Sequence, residues 1–303
     1  MADALRLFNA APGPQFRVDH YNSGREALAS LLSGDAEFAL AASTPVARAL
    51  LDPDNQNSRA GALAVLALVS SSNRTHVVVA DGGAGIDEPA DLLGKRVAVM
   101  LDTSGHFGWH HFSEYHNLDT EKMTLVDLPV DAHAEAMASG RIDAAVTWEP
   151  WAAQLRAGLD GRARAFTTRH LYSVGWLLVT RTDVLERYPG SAERMLAAYR
   201  DAITEMERNP QRGRRLHARA SPLELDPQAL QALGAGVVWG LRLDWPVLAD
   251  LEAQLNWFTE RAGWESAAVP APHEYLYAEP LRRVSERSID LPSYFFLERE
   301  TAR

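Results

Sequence analysis

Two stretches of the chain follow the same order of residue types, and this repeat constrains the fold more than any other feature. They read ALASLLSGDAEFALAASTPV (residues 27–46) and AHAEAMASGRIDAAVTWEPW (residues 132–151). In each, an alanine-rich helical pattern leads to Ser-Gly, an acidic residue, a short apolar run, polar residues and a proline. Glycine adopts the left-handed conformation that ends many helices, and such apolar runs are typical of strands buried on both faces. The repeat therefore predicts two similar helix–strand–loop segments.

Polar residues follow these strand patterns, at the strand ends where open α/β sheets bind ligands. Ser43 and Thr44 follow the first copy, and a third strand pattern at 97–100 leads to Thr103 and Ser104 before a helical pattern. Hydroxyl groups and free N–H groups at a helix start bind anions. These positions predict anion binding, and the alternative interpretation is simple helix capping.

The second copy of the repeat ends in Trp148-Glu149-Pro150-Trp151. Here the sequence offers an aromatic wall and a carboxylate, and Glu149 is a candidate for binding a ligand ammonium group, with a cation–π contribution from Trp148. The alternative, which the sequence leaves open, is that Glu149 caps the next helix while the tryptophans pack in the interior.

Other chemistry finds little support in the sequence. His106 and His110 share a helical face at a spacing that suits zinc, but the glutamate of a zincin motif is missing, so an ordinary helix surface is favoured and neither metal nor cofactor is predicted. The chain has no cysteine, which excludes disulfides and thiolate chemistry. Gly-x-Ser-x-Gly and Walker-type motifs are absent, so we predict no enzyme.

Length and charge narrow the class of protein further. The 303 residues suit two α/β domains, and the formal net charge of −10 argues against a nucleic-acid partner. The N-terminus lacks the basic start and apolar core of a secretory signal. We therefore expect either a periplasmic or other extracytoplasmic protein whose signal has been removed, or a cytoplasmic one.

Alternating strand and helix patterns predict βαβ units with mostly parallel sheets. The alternation in residues 16–21 predicts a further strand. Toward the C-terminus, helical spacing predicts helices over residues 191–208, 226–239 and 245–262.

The order of motifs resembles the substrate-binding proteins of nitrate/sulfonate/taurine ABC importers, within a wider group that includes thiamine-pyrimidine binding proteins. The resemblance runs from about residue 16 to residue 210. Its strongest parts are GKRVAV with the TSGH loop, and SGRIDA followed by WEPW. It implies a type II periplasmic-binding-protein-like α/β fold, with two domains joined by a two-strand hinge, plus C-terminal helices.

The same resemblance implies a division into domain 1 (residues 1–82 and 172–303) and domain 2 (residues 83–171), with a ligand in the interdomain cleft. The implied ligand is a small organic anion or zwitterion such as an alkanesulfonate or taurine, and the implied partner is an ABC permease. We expect a monomer. The residues expected to line the cleft are Ser43, Thr44, Ser70, Thr103, Ser104, His106, Trp148 and Glu149.

Three alternatives stay open at this point. The same clamp can serve as a ligand-sensing module that regulates a partner, or the ligand can be nitrate or a pyrimidine. An enzyme of the pyrimidine-synthesis branch of the fold is disfavoured, because without cysteines only the pair His106 and His110 is left to hold a metal.

Overall fold

The α/β class predicted from the sequence is confirmed by the computed structural model, which describes residues 7–9, 15–56, 62–220, 236–262 and 271–295. The chain divides into two compact units. Unit 1 comprises Met1–Ser71, Gly175–His217 and Val238–Arg303, and unit 2 comprises Ser72–Val174 and Ala218–Val237. Each unit contains a five-stranded sheet with helices packed against it.

Unit 1 is built on a sheet of order β1-β8-β2-β9-β10. Its strands are β1 (Phe38–Ala42), β2 (Leu63–Ser72), β8 (Val174–Arg181), β9 (Val237–Asp244) and β10 (Ile289–Asp290). Its helices are α1 (Gly24–Ser33), α2 (Ser43–Leu50), α3 (Pro53–Gln56), α7 (Thr182–Arg187), α8 (Ser191–Arg208), α9 (Pro210–Ala220, which continues past the unit boundary), α10 (Trp245–Ala262) and α11 (Glu279–Val284). The long apolar strand β2 is buried along nearly its whole length, as expected of a central strand.

Unit 2 is built on a sheet of order β5-β4-β6-β3-β7. Its strands are β3 (His76–Asp81), β4 (Arg96–Val99), β5 (Thr124–Asp127), β6 (Ala144–Trp148) and β7 (Ala163–Thr167), and its helices are α4 (Ser104–Tyr115), α5 (His133–Ala138) and α6 (Trp151–Gly158). Successive residues of the central strands enter two separate apolar clusters. For example, Val78 packs in one cluster and Val79 in the other. The sheet is therefore covered on both faces.

Both copies of the sequence repeat fold as predicted. The first forms α1, β1 and α2, and the second forms α5, β6 and α6. Gly34 ends α1 with a φ of 88°, and Gly140 follows α5 with a φ of 66°. Both angles lie in the left-handed region, so the Ser-Gly pairs close their helices for the reason given by the sequence.

Both sheets belong to the predicted α/β architecture, and antiparallel pairs occur in them beside the predicted parallel ones. Strand β4 pairs parallel with β5 and β6, whereas β3 pairs antiparallel with β6 and β7, and β1 antiparallel with β8. Because β3 is hydrogen-bonded to β6 and β7, it belongs to the second sheet. The expected domain boundary at 82/83 therefore falls inside unit 2, which starts at Ser72.

Two predicted elements are wrong within the described residues. Residues 16–21 form no strand, because they pair with no neighbour and are fixed by side-chain contacts such as the Phe16 ring against Phe38. The predicted helix 226–239 lies largely outside the described residues, but its last part, from Val237, forms β9. Here the stabilisation from pairing with a neighbouring strand outweighs the helical preference that the apolar spacing indicates. Among the described helices, none has the length and apolarity needed to cross a membrane.

Candidate functional site

The start of α4 in unit 2 carries the densest set of polar groups that the sequence predicts to bind a ligand. Thr103 is the N-cap of this 12-residue helix, and Ser104 and Gly105 are its first two residues. The Thr103 hydroxyl donates a hydrogen bond to the carbonyl of Met100 over 2.7 Å. The first N–H groups of any helix lack intrahelical acceptors, and the helix dipole makes this end positive. The start of α4 therefore has the electrostatics of an anion site.

Ser104 is held by a histidine that the sequence analysis missed. The Ser104 Oγ and His76 Nε2 lie 3.0 Å apart and share a hydrogen bond, and both residues are buried. Burial lowers the pKa of His76 to about 4, so its ring is neutral at neutral pH. The imidazole therefore orients the serine hydroxyl without bringing a charge to the site.

Trp148 lies beside both groups because of the register between β3 and β6. His76 is paired directly with Trp148, and their rings meet edge to face with centroids 5.7 Å apart. A Cβ placed on Gly105 would lie 3.3 Å from the Trp148 ring. The indole therefore covers the start of α4 closely, and the glycine leaves room for it.

An aromatic wall continues from this point. The Tyr172 ring lies 6.2 Å from the His76 ring and 5.1 Å from the Phe107 ring, and His111 stacks against Tyr172 at 6.0 Å between centroids. Burial lowers the pKa of His111. These neutral rings offer an apolar surface next to the hydroxyl groups of the helix start.

His106 and Glu149 have structural partners of their own. The Nδ1 of His106 accepts a hydrogen bond from the backbone N–H of Asp102 over 3.3 Å. Glu149 accepts from the backbone N–H of Ala153 over 3.1 Å and forms an ion pair with Arg156. The Glu149 carboxylate thus caps α6, which is the alternative that the sequence left open.

In unit 1, Ser43 and Thr44 begin α2 and are both buried. Ser43 accepts a hydrogen bond from Gln254 Nε2 over 2.8 Å, and its hydroxyl also hydrogen-bonds to the Asp250 carboxylate. Both partners lie on α10, which packs against α2. Ser70 is buried on β2.

The structure thus brings Thr103, Ser104 and Trp148 together, and it places Ser43 and Thr44 side by side in unit 1. Sequence reasoning missed His76, Asp250 and Gln254. The first lies at the start of a strand pattern, where a histidine carries no motif, and the other two lie on the apolar face of a helix. The sequence did offer one signal for these last two: a polar residue stands among the apolar positions that the helical spacing assigns to the buried face. Within the described ranges, no group of three His, Cys, Asp or Glu residues is arranged to hold a metal ion.

Two curated proteins resemble part of the chain. The taurine-binding periplasmic protein of Escherichia coli (strain K12) is 26% identical over 150 residues, which are 50% of this chain and 44% of that protein. The putative aliphatic sulfonates-binding protein of Bacillus subtilis (strain 168) is 27% identical over 128 residues, 42% of this chain and 38% of that protein. The matched segments thus span less than half of either relative.

Solved structures resemble almost the whole chain. The alkanesulfonate-binding protein SsuA from Xanthomonas axonopodis pv. citri, bound to MOPS, has a TM-score of 0.76 at 19% identity and covers 91% of this chain and 93% of its own. A mutant of the enzyme DszB in complex with biphenyl-2-sulfinic acid has a TM-score of 0.63 at 20% identity. The match covers 94% of this chain and 95% of the DszB chain. At these identities the likeness shows the fold alone.

A family model agrees with the fold and with the resemblance stated from the sequence. The model described as "NMT1/THI5 like" matches residues 16–213, well over half of the chain. The matched range includes the repeat, the start of α4 and the strands that carry His76 and Trp148. The chain therefore belongs to the NMT1/THI5-like family.

Proposed function

We propose that this chain is the solute-binding protein of an ABC importer and that it binds a small organic sulfonate reversibly. The observation that carries the proposal is the start of α4, where Thr103, Ser104 and the first helical N–H groups lie under the Trp148 ring. The names of the two curated relatives, a taurine-binding and a putative aliphatic sulfonates-binding protein, support a sulfonate as the anion.

The chemistry of the helix start suits a sulfonate head group. A sulfonate carries a full negative charge at any physiological pH, and its three oxygens accept hydrogen bonds from several donors at once. Backbone N–H groups at a helix N-terminus supply such donors together with a favourable dipole. The Ser104 hydroxyl, oriented by neutral His76, adds a further polar contact.

The aromatic wall accounts for the organic part of the ligand. Trp148, Tyr172 and Phe107 present apolar ring surface within unit 2. Burying a methylene group against such a surface contributes about 0.8 kcal/mol. A short alkyl chain attached to the sulfonate therefore gains affinity that an inorganic anion such as nitrate does not.

By analogy with the relative named as a periplasmic protein, we place the protein outside the cytoplasm. That it is a monomer and that it delivers its ligand to an ABC permease are further parts of this proposal, which the family resemblance of the sequence implies. Ser43, Thr44 and Ser70 stay proposed ligand contacts in unit 1, and His106 in unit 2. Glu149 is proposed to fix the loop before α6 instead of contacting an amine, because Arg156 and the Ala153 N–H already engage its carboxylate.

We also propose that the ligand is bound without chemical change, although DszB, named as a desulfurization enzyme, shares the fold. The chain contains no cysteine, so thiol chemistry is excluded. The check is mass spectrometry of a sulfonate incubated with the protein. Recovery of intact ligand is expected, and release of sulfite or sulfate would contradict the proposal.

The binding test is titration calorimetry with taurine, 1-propanesulfonate and MOPS, with nitrate and a thiamine pyrimidine as competing candidates. At least one sulfonate is expected to bind with a Kd in the micromolar range or tighter, and failure of all three to bind would refute the proposal. Ser104→Ala is expected to weaken sulfonate binding roughly tenfold, the usual effect of losing one hydrogen bond to a charged group. Thr124→Ala, on an exposed position of β5, is the matched control and should leave affinity unchanged.

A further inference from the structure

The hydrogen bond between His76 and Ser104 has a direction, and this direction decides what Ser104 can offer to a ligand. The Ser104 Oγ and the His76 Nε2 lie 3.0 Å apart, and both residues are buried. A neutral imidazole carries one proton, on either Nδ1 or Nε2. With the proton on Nδ1, the serine hydroxyl donates to the ring. With the proton on Nε2, the ring donates to the serine.

Thr103 cannot take over the role of Ser104, because its hydroxyl hydrogen is already used. The Thr103 hydroxyl donates to the carbonyl of Met100 over 2.7 Å. A hydroxyl group has a single hydrogen, so the Thr103 Oγ1 has only lone pairs left for other groups. Lone pairs do not stabilise an anion. Of the two hydroxyl groups at the start of α4, that of Ser104 is therefore the one able to donate to an anionic ligand.

A proton on Nε2 of His76 leaves the serine hydrogen free, whereas a proton on Nδ1 does not. In the first case Ser104 accepts from the ring and its own hydrogen turns to the ligand. In the second case the serine faces the ligand with lone pairs, as Thr103 does. Among the described residues no hydrogen-bonding group contacts Nδ1, so a proton there would have no acceptor, while a proton on Nε2 has the Ser104 Oγ. Since buried polar hydrogens are nearly always paired, the surroundings favour Nε2–H.

Three contacts fix the His76 residue in this position. Thr168 Oγ1 donates to its backbone carbonyl over 3.0 Å, and the Trp148 ring meets the imidazole edge to face with centroids 5.7 Å apart. The Tyr172 ring lies 6.2 Å away on the same residue. Burial alone accounts for the low pKa of the imidazole, so no charged group competes for its proton. The ring is therefore a fixed, neutral partner for Ser104.

We propose that His76 is a positioning residue of the ligand site: its Nε2–H donates to the Ser104 Oγ, so that the serine hydroxyl donates to an oxygen of the bound anion. The position next to Ser104 then accepts only a ligand atom that carries no hydrogen, as each sulfonate oxygen does. The role rests on the proposed function and concerns unit 2 alone. A residue that no motif marked thus sets the choice between donor and acceptor at the start of α4.

The first test is nuclear magnetic resonance of the wild-type protein with isotopically labelled histidine. Long-range proton–nitrogen correlations distinguish a protonated ring nitrogen from an unprotonated one, and the signal of His76 is the one that disappears in His76→Gln. With saturating 1-propanesulfonate at neutral pH, the ring is expected to carry its proton on Nε2 alone. A proton on Nδ1, or protons on both nitrogens, would overturn the proposal.

The second test is a double-mutant cycle on the affinity for 1-propanesulfonate, measured by titration calorimetry. His76→Asn, whose shorter side chain does not reach the serine, is expected to weaken binding roughly three- to tenfold. In a Ser104→Ala background the same change should have no further effect. His76→Gln is the rescue, because its amide N–H reaches about as far as Nε2, and most of the affinity should return. His170→Gln, an exposed histidine of the same unit, is the control and should leave affinity unchanged.

The outcomes separate the role of His76 from the proposed function. If no sulfonate binds the wild-type protein, the proposed function fails and the role of His76 fails with it. If sulfonates bind, but His76→Asn weakens the Ser104→Ala variant as much as the wild type, only the role of His76 is overturned. Should His76→Asn fail to fold, as judged by circular dichroism, the resonance spectrum of the wild-type protein still decides.

Discussion

At the scale of the single residue, His76 shows how a side chain without a motif organises a site. It reaches Ser104 through its ring, contacts Trp148 edge to face, and accepts a hydrogen bond from Thr168 Oγ1 at its backbone carbonyl over 3.0 Å. All three contacts follow from its position at the start of β3, opposite the last residue of β6.

The buried state of His76 predicts a pH effect on stability. Its pKa falls from 6.5 to about 4 on folding, so the unfolded chain binds the proton more readily, and stability is lost as the pH falls through this range. The contribution amounts to roughly 3 kcal/mol. His76→Gln should therefore reduce the difference in unfolding free energy between about pH 7 and about pH 4.5, measured by urea denaturation.

The control for this measurement is His170→Gln, an exposed histidine of the same unit. It should leave the dependence of stability on pH as in the wild type. An unchanged dependence in His76→Gln itself would contradict the assignment of a neutral, buried imidazole.

At the scale of the element, the helix starts were predictable and their partners were not. Local sequence predicts where the Ser-Gly pairs end their helices, where α8 and α10 begin and end, and where α4 lies. This is because helix caps and apolar spacing are local properties. The contact of Ser43 with Gln254 joins residues 211 positions apart in sequence, and no periodicity reports such a pair. Likewise β9 is a strand because a neighbouring strand is available to it.

The helix α6 provides a prediction about Glu149. Its carboxylate accepts the Ala153 N–H and pairs with Arg156, so Glu149→Gln should lower the unfolding free energy by about 1 kcal/mol, as loss of a cap does. Taurine and 1-propanesulfonate should lose affinity to the same small extent. Thermal unfolding and calorimetry measure the two effects.

The control for the Glu149→Gln measurement is Glu135→Gln, which removes an exposed carboxylate from the neighbouring repeat helix α5. Its melting temperature should stay within error of the wild type. A selective loss of taurine binding in Glu149→Gln would restore the amine-binding role that the sequence first suggested.

At the scale of the whole molecule, several buried or ion-paired groups of unit 2 and the Asp250 carboxyl of unit 1 respond to acid in opposite directions. In unit 2, burial lowers the pKa of His76, His111 and His133, and arginine partners lower the pKa of Asp81 and Asp143. Both kinds of shift make the unfolded state bind more protons, so unit 2 loses stability as the pH falls. Asp250 in unit 1 has a raised pKa, so its contribution grows more favourable as the pH falls from about 6 to about 4.

Hydrogen exchange followed by mass spectrometry tests this difference between the units. After correction for intrinsic exchange rates, peptides from β3, β4 and β6 should lose protection between about pH 7 and about pH 5, while α10 should not. Asp250→Asn should abolish any gain of protection in α10. Equal loss of protection in both units would contradict the prediction.

The fold class and the family were predictable from the sequence, because the repeat and the TSGH and WEPW motifs are ordered along the chain. The direction of strand pairing was less accessible, since the antiparallel strands β3 and β8 carry the same apolar composition as parallel ones. The grouping of Thr103, Ser104 and Trp148 was foreseen. The histidine that joins them was not, because its partner is fixed by sheet register.

That register also limits how proteins with this fold can diversify. A strand cannot shift its pairing gradually, since a slip of one residue turns every side chain to the opposite face. His76 and Trp148 therefore change only by substitution in place, while the turns at 101–103 and 149–150 lie outside the ladder and are not bound by its register. New ligand preferences in such proteins are therefore expected to arise by substitution in these turns, while the pairing of His76 with Trp148 stays in place.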